Sequence, residues 1–328
     1  MIPHSKPYLG LEEADAAARV LASGQLAQGA EVEAFENECA AHFGRQYGVA
    51  VSSGTAALHL ALGAVGVEPG DRVAVPSYSC AALITAVRLQ QASPVLCDVG
   101  DDCNLDSSAL PAGCRTAIVP HLFGAPATLP KSGIVIEDIA QSLGGPGGCA
   151  TPVAIASFYV TKLMTSGGEG GMVLTDDEAI AEYARDRRDY DKREDFQVRY
   201  PYKMTDLQAA VGRVQLRRLP GFLARRREIA DAYSDGLREL PLGLPSGEGH
   251  VYFRYVVRTH QRDALEAHLN SFDIDAKRPV YRPSHHFLGG TFEGAERAHQ
   301  ECLSLPIYPS MVDADVRHVI DCVRQFME

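Results

Sequence analysis

Short β-rich runs separated by helical patterns fill the first two-thirds of the chain, and they leave few folds open. Such runs lie at 47–52, 72–76, 93–98, 116–120, 134–138 and 154–159. Helical patterns accompany them. Residues 11–22 read as a helix that stops at Ser23-Gly24, and 31–43 as one that stops at Gly44. A third, 56–63, follows Ser53-Gly54-Thr55. Strands separated by helices predict an α/β layered domain with a mainly parallel sheet. The pattern changes near Thr205. Residues 206–239 are rich in helix formers, with Leu207, Val211, Val214 and Leu219 near one stripe and an expected interruption at Pro220-Gly221. A strand at 251–258 and helices at 262–272 and 315–327 follow. We expect a large domain over 1–224 and a smaller α+β domain over 225–328.

Charge and composition exclude several function classes. The formal net charge of -11 argues against a nucleic-acid or membrane-surface partner, because both need a basic face. A small anionic substrate needs only a local cluster of cations. The eight cysteines form no CxxC pair and no Cys/His cluster with zinc spacing, so no metal site is expected. Their mostly apolar flanks read as buried, reduced thiols. The first residues carry no apolar signal core, and no apolar run approaches the length of a bilayer span. The cytoplasm is the expected location.

Four segments carry chemistry. The run at 154–159 leads to Lys162 and then to Gly167, Gly168, Gly170 and Gly171. Lysine forms a Schiff base only when its amine can lose its proton, which burial and nearby cations favour. Glycines let backbone pass close to a cofactor. Ser53-Gly54-Thr55 opens a helix, and free amides at a helix N-terminus make a phosphate site, although an ordinary N-cap reads as well. Asp138 closes an apolar run, where a carboxylate is costly unless paired. It can hold a protonated pyridine nitrogen, or cap the next helix. Ser157, five residues before Lys162, is a second phosphate donor.

These segments carry a resemblance. Ser23 to Gly29, Ser53-Gly54-Thr55-Ala56-Ala57-Leu58, Glu137-Asp138-Ile139-Ala140-Gln141-Ser142, Ser157 to Gly171, Met204-Thr205-Asp206-Leu207-Gln208-Ala209-Ala210 and Leu305-Pro306-Ile307-Tyr308-Pro309 occur in order. Together they resemble the DegT/DnrJ/EryC1/StrS family of pyridoxal-phosphate-dependent sugar aminotransferases. The resemblance implies an aspartate-aminotransferase-type (fold type I) α/β fold, with a mainly parallel sheet and a smaller C-terminal α+β domain. It implies pyridoxal 5'-phosphate as cofactor, held as a Schiff base on Lys162. Asp138 would hold the pyridine nitrogen and Gln141 would lie by the cofactor hydroxyl. Amides of Gly54, Thr55 or Ala56 and the Ser157 hydroxyl would hold the phosphate. It further implies a homodimer with shared sites, a keto-sugar substrate, most often nucleotide-linked, and an amino-acid donor such as glutamate. Amino-sugar, cell-surface polysaccharide or secondary-metabolite biosynthesis is the implied setting.

Two departures stand out. Cys80 occupies the position of the usual stacking aromatic, leaving Cys80 or Tyr78 to cover the ring. Pro201 stands where an Asn ordinarily reaches the phosphate of the neighbouring subunit, and Pro cannot donate a hydrogen bond. Lys203, or Arg199 as runner-up, could supply charge there. His121 and His285-His286 read equally as site or structural histidines. Arg225-Arg226-Arg227 reads as a solvated helix face. Arg187-Arg188 and Lys192-Arg193 are slightly better candidates for a diphosphate clamp, because they precede the interface loop. A sugar dehydratase of the same fold is the alternative activity; those relatives replace the lysine by histidine. A non-catalytic regulatory relative is the second alternative.

Overall fold

In the computed structural model, which describes residues 1–106 and 111–328, seven strands form one sheet in the order β1-β7-β6-β5-β4-β2-β3. They are β1 (Tyr47–Val51), β2 (Arg72–Pro76), β3 (Ser93–Cys97), β4 (Thr116–Pro120), β5 (Ile134–Asp138), β6 (Val153–Ser157) and β7 (Gly171–Thr175). β6-β5-β4-β2-β3 are parallel, and β7 runs antiparallel to both β6 and β1. The sheet is thus mostly parallel, as the sequence predicts, with one reversed strand. β4, β6 and β7 are buried along their whole length, as expected of strands covered on both faces.

Helices α1 (Leu11–Ser23), α2 (Ala30–His42), α3 (Gly54–Ala64), α4 (Ala82–Leu89) and α5 (Glu178–Arg187) accompany this sheet. α3 is apolar on nearly every side, and its buried residues from Ala56 to Leu62 pack with Val49, Ile118, Ile136 and Ile155 of the sheet. That packing fixes its N-terminus beside the end of β6.

α6 (Asp206–Leu237) runs unbroken through Pro220, which corrects the expected interruption. Proline removes one backbone bond and crowds the preceding turn. Here Leu216, Leu219 and Leu223 bury in one core and Ile229, Tyr233 and Leu237 in another, so tertiary packing on both sides of Pro220 outweighs the local loss. The helix therefore passes from the large core to the small one between Leu223 and Ile229.

The second core lies around the antiparallel pair of β8 (Tyr255–Arg258) and β9 (Cys302–Leu305), with α7 (Arg262–Ser271) and α10 (Asp313–Met327). The short α8 (His285–Leu288) and α9 (Glu293–Glu301) lie between them in sequence. Ile2 pairs with Ile274 and buries in this second core.

Candidate active site

The parallel strands end at a cavity of about 260 Å³. Its wall brings together Gly54, Thr55, Cys80, Asp138, Gln141, Ser157 and Lys162, seven side chains or backbones spread over more than a hundred residues. Leu58, Leu83, Pro120, Leu122 and Ile155 make its apolar lining. An α/β sheet binds ligands at the C-terminal ends of its parallel strands, and β5 and β6 supply two of the central residues here.

Asp138 ends β5. Strand alternation sends its neighbour Glu137 to the other face. There the Glu137 carboxylate accepts from Gly148 N–H at 2.7 Å, Thr151 Oγ at 2.8 Å and His121 Nε2 at 3.0 Å. Ala127 N–H donates to His121 Nδ1, and Nε2 donates to Glu137, so the histidine serves as a structural donor. Asp138 itself faces the cavity. Its Oδ1 accepts only the Ala140 N–H, at 2.9 Å, and no cation lies within ion-pair distance among the described residues. Burial pushes its pKa above the usual carboxylate range, opposed by Lys162, the Ala140 N–H and His121. It is a buried carboxylate prepared for a positive partner.

Lys162 follows β6 in a tight turn, its N–H bonded to Tyr159 O at 2.8 Å. Its Nζ lies 5.2 Å from the centre of the Phe253 ring. Burial pushes its pKa below the usual lysine range; Cys80 and Asp138 oppose this and Arg254 adds to it. The neutral, nucleophilic amine is thereby favoured.

The phosphate end is tighter than spacing alone reveals. A Cβ on Gly54 would stand 2.8 Å from Ser157 Cβ, and one on Gly171 would stand 2.3 Å from Ser53 O. Glycine at both positions lets the α3 N-terminus touch β6 and β7. Ser53 caps α3 by accepting from Ala56 N–H at 3.1 Å. That engages the Ala56 amide, and Ala56 does not line the cavity. Gly54, Thr55 and the Ser157 hydroxyl do. Gln141 Oε1 accepts from Phe123 N–H at 2.8 Å, which leaves its NH₂ group free for the cavity. Phe123 holds a left-handed backbone, φ 61°, at that bond.

Cys80, not Tyr78, covers the cavity. Tyr78 is fully buried, with its hydroxyl donating to Ala298 O at 3.3 Å among Phe123, Cys103 and Cys302. Cys80 and Cys149 are exposed, which corrects the reading of uniformly buried thiols. Tyr159 and Glu169 also line the cavity, and sequence reasoning missed both.

The nominated cations behave differently. Lys203 is absent from the cavity wall, and its Nζ pairs with Asp189 and Asp191, each at 2.9 Å. Arg199 pairs with Asp186 and Asp195. The 200–204 segment runs beside the end of β1: Ser52 N–H donates to Tyr202 O at 2.7 Å, and Tyr200 and Tyr202 stack with ring centres 5.0 Å apart. Arg188 is buried against Glu36 and Ala50 O, so it is no clamp. Arg226 is also buried, against the expectation of a solvated face. Its guanidinium donates to the carbonyls of Tyr252, Phe253 and Ile307 and ties the segments just before β8 and just after β9 to α6. Three consecutive arginines gave no sign of this in sequence.

The donor set suits pyridoxal phosphate. A depressed lysine, an unpartnered buried carboxylate, and a glycine cradle with two hydroxyl-bearing neighbours match its carbonyl, pyridine nitrogen and phosphate. Among curated relatives, the dTDP-3-amino-3,4,6-trideoxy-alpha-D-glucose transaminase of Streptomyces venezuelae is 35% identical, covering 96% of this chain and 92% of its own. The spore coat polysaccharide biosynthesis protein SpsC of Bacillus subtilis (strain 168) is 33% identical, covering 100% and 97%. The crystal structure of S. venezuelae DesV in complex with a ketimine intermediate superposes with a TM-score of 0.91 at 33% identity over 99% of each chain. The sequence profile of the DegT/DnrJ/EryC1/StrS aminotransferase family matches residues 7–324, and the chain belongs to that family.

Proposed function

We propose that this aminotransferase carries pyridoxal 5'-phosphate on Lys162, takes an amino group from glutamate or a similar amino acid, and delivers it to a nucleotide-linked keto-sugar. The observation that carries the reading is the joint placement of Lys162 and Asp138 on one cavity wall, each without a charged partner within ion-pair distance among the described residues. Similarity to a dTDP-sugar transaminase supports the substrate class.

Bound there, the cofactor supplies a carbonyl that exchanges with amines and a ring that takes up electron density. The protein does the rest. Lys162 Nζ, whose pKa burial lowers, would hold the cofactor through that carbonyl carbon and would carry the proton between the two carbons. Asp138 holds the protonated ring nitrogen and gains the positive partner its burial demands. Gln141 donates its free NH₂ to the ring hydroxyl oxygen. Gly54 and Thr55 amides at the α3 N-terminus and the Ser157 hydroxyl hold the phosphate. Cys80 covers one face of the ring with a smaller apolar surface than an aromatic would.

The active unit in this reading is a homodimer in which 200–204 completes the partner's site and Lys203 replaces the donor lost at Pro201. Magnitudes permit the exchange. Exposed ion pairs such as those of Lys203 are worth about 0.2–1 kcal/mol each, and a charge-assisted bond to phosphate about 1.5–3 kcal/mol. A dehydratase of the same fold is the weaker reading, because Lys162 stands where those relatives carry histidine. No helix is long and apolar enough to cross a membrane among the described residues, and we place the enzyme in the cytoplasm.

The test is a panel of keto-nucleotide-sugars incubated with glutamate, with mass detection of the aminated product. Appearance of an amino-sugar with matching 2-oxoglutarate supports the reading. Dehydrated products, or consumption of glutamate with no sugar aminated, count against it.

A further inference from the structure

We propose that His285, His286 and Glu296 form a zinc-class divalent metal site on the small lobe. The two histidines open α8 and Glu296 sits on α9, so ten residues of chain turn back to bring them together. His286 Nε2 lies 2.9 Å and His285 Nε2 lies 3.2 Å from the same oxygen, Glu296 Oε2. The three ligand atoms all fall within 4.8 Å of one another. Ligands at about 2.0–2.2 Å around a tetrahedral ion stand roughly 3.3 Å apart, so the two histidine–glutamate edges already match such a site.

The surroundings aim these atoms. Gln300 Nε2 donates to Glu296 Oε1 at 2.8 Å and leaves Oε2 for the histidines. His285 Nδ1 lies 2.6 Å from Ser77 Oγ. With Nε2 as ligand, Nδ1 carries the proton and donates to that hydroxyl, the outer-shell arrangement that fixes the orientation of metal-bound imidazoles. Two imidazoles and one carboxylate suit zinc and its neighbours, whereas calcium and magnesium prefer all-oxygen shells. His286 and Glu296 are partly exposed and edge an open surface cleft, so water can fill a fourth position.

An ion here would also brace the cofactor cavity. Ser284 N–H donates to Ser77 O at 2.7 Å, and Ser77 N–H donates to Cys97 O. Ser79 and Cys80, the next but one and two along the chain, line that cavity. The sequence showed no zinc spacing because the adjacent histidines and the distant glutamate meet only through the packing of α8 on α9.

Tag-free, cofactor-loaded enzyme would be titrated with Zn²⁺ by calorimetry, and with Co²⁺ while the visible spectrum is recorded. Eight thiols offer competing ligands, so binding must be lost in His286→Ala and in Glu296→Gln, with unchanged circular dichroism and cofactor loading as controls. The expected result is one ion per chain in wild type and more than about 100-fold weaker binding in both variants, beyond the roughly 10–100-fold that an outer-shell change such as Ser77→Ala brings. Absence of stoichiometric binding in wild type, or stoichiometric binding unaffected by both variants, overturns the site.

Discussion

The cavity wall at the ends of β5 and β6 and the 200–204 segment beside β1 belong to the same proposed site, yet they are prepared differently. On the wall, Asp138 stands buried and Lys162 half-buried, without charged partners within ion-pair distance, each pushed toward its neutral form. Along the segment, Lys203, partly exposed, and Arg199, with its side chain largely covered, are each paired with two aspartates that reach solvent. Reactive groups are thus held in readiness by strand ends, whereas groups that would reach a second chain rest on exchangeable surface pairs. A charge costs little to move at the surface and much to leave unpaired in the interior. That difference predicts a steep gradient of mutational effects across one site.

Lys162→Ala should show the largest effect, with loss of turnover and of the cofactor's visible band. Assay of the purified variant with glutamate checks this; residual activity near wild type would place the reacting amine elsewhere.

Asp138→Asn should retain some cofactor but lower turnover by about 100- to 1,000-fold, the range seen when one preorganised electrostatic group is removed. Unchanged kinetics in a folded variant would reduce Asp138 to a cap for the following turn.

Gly54→Ala tests the cradle. The added Cβ meets Ser157 at 2.8 Å, and overpacking of this kind costs about 1–3 kcal/mol. Equilibrium titration should show cofactor binding roughly 5- to 100-fold weaker, at about 1.4 kcal/mol per factor of ten.

Lys203→Ala should be milder, about tenfold, because the bond to phosphate is offset by the aspartate pairs given up. Mixed dimers sharpen the point. A Lys162→Ala chain combined with a Lys203→Ala chain should restore one intact site if the two residues act in opposite subunits. No restoration on mixing, or an active monomer by light scattering, would assign the segment to its own chain.

Much of the fold was legible because continuous apolar runs mark strands buried on both faces. β2, β4 and β5 match the runs at 72–76, 116–120 and 134–138. β7 was missed because Gly171 joins it directly to the glycine loop, and its reversal against β6 has no local signature. β9 follows α9 without a breaking residue. α5, with Glu178, Glu182, Arg185, Asp186 and Arg187 interspersed among small residues, buries only Ile180, Ala181 and Ala184. In the site, Lys162, Asp138, Gln141, Ser157 and Gly54 announced themselves through motif order. The engagement of the Ala56 amide by Ser53, the burial of Tyr78 and the ion pairs of Lys203 did not, since each depends on which neighbour reaches a group first in three dimensions.

The most direct measurement is borohydride reduction of the cofactor-loaded wild-type enzyme followed by peptide mapping. The account predicts the reduced pyridoxyl group on Lys162, within the peptide that begins after Ser157-Phe158 and precedes the glycine loop. Its recovery on any other lysine, or no covalent label in an active preparation, would contradict the account.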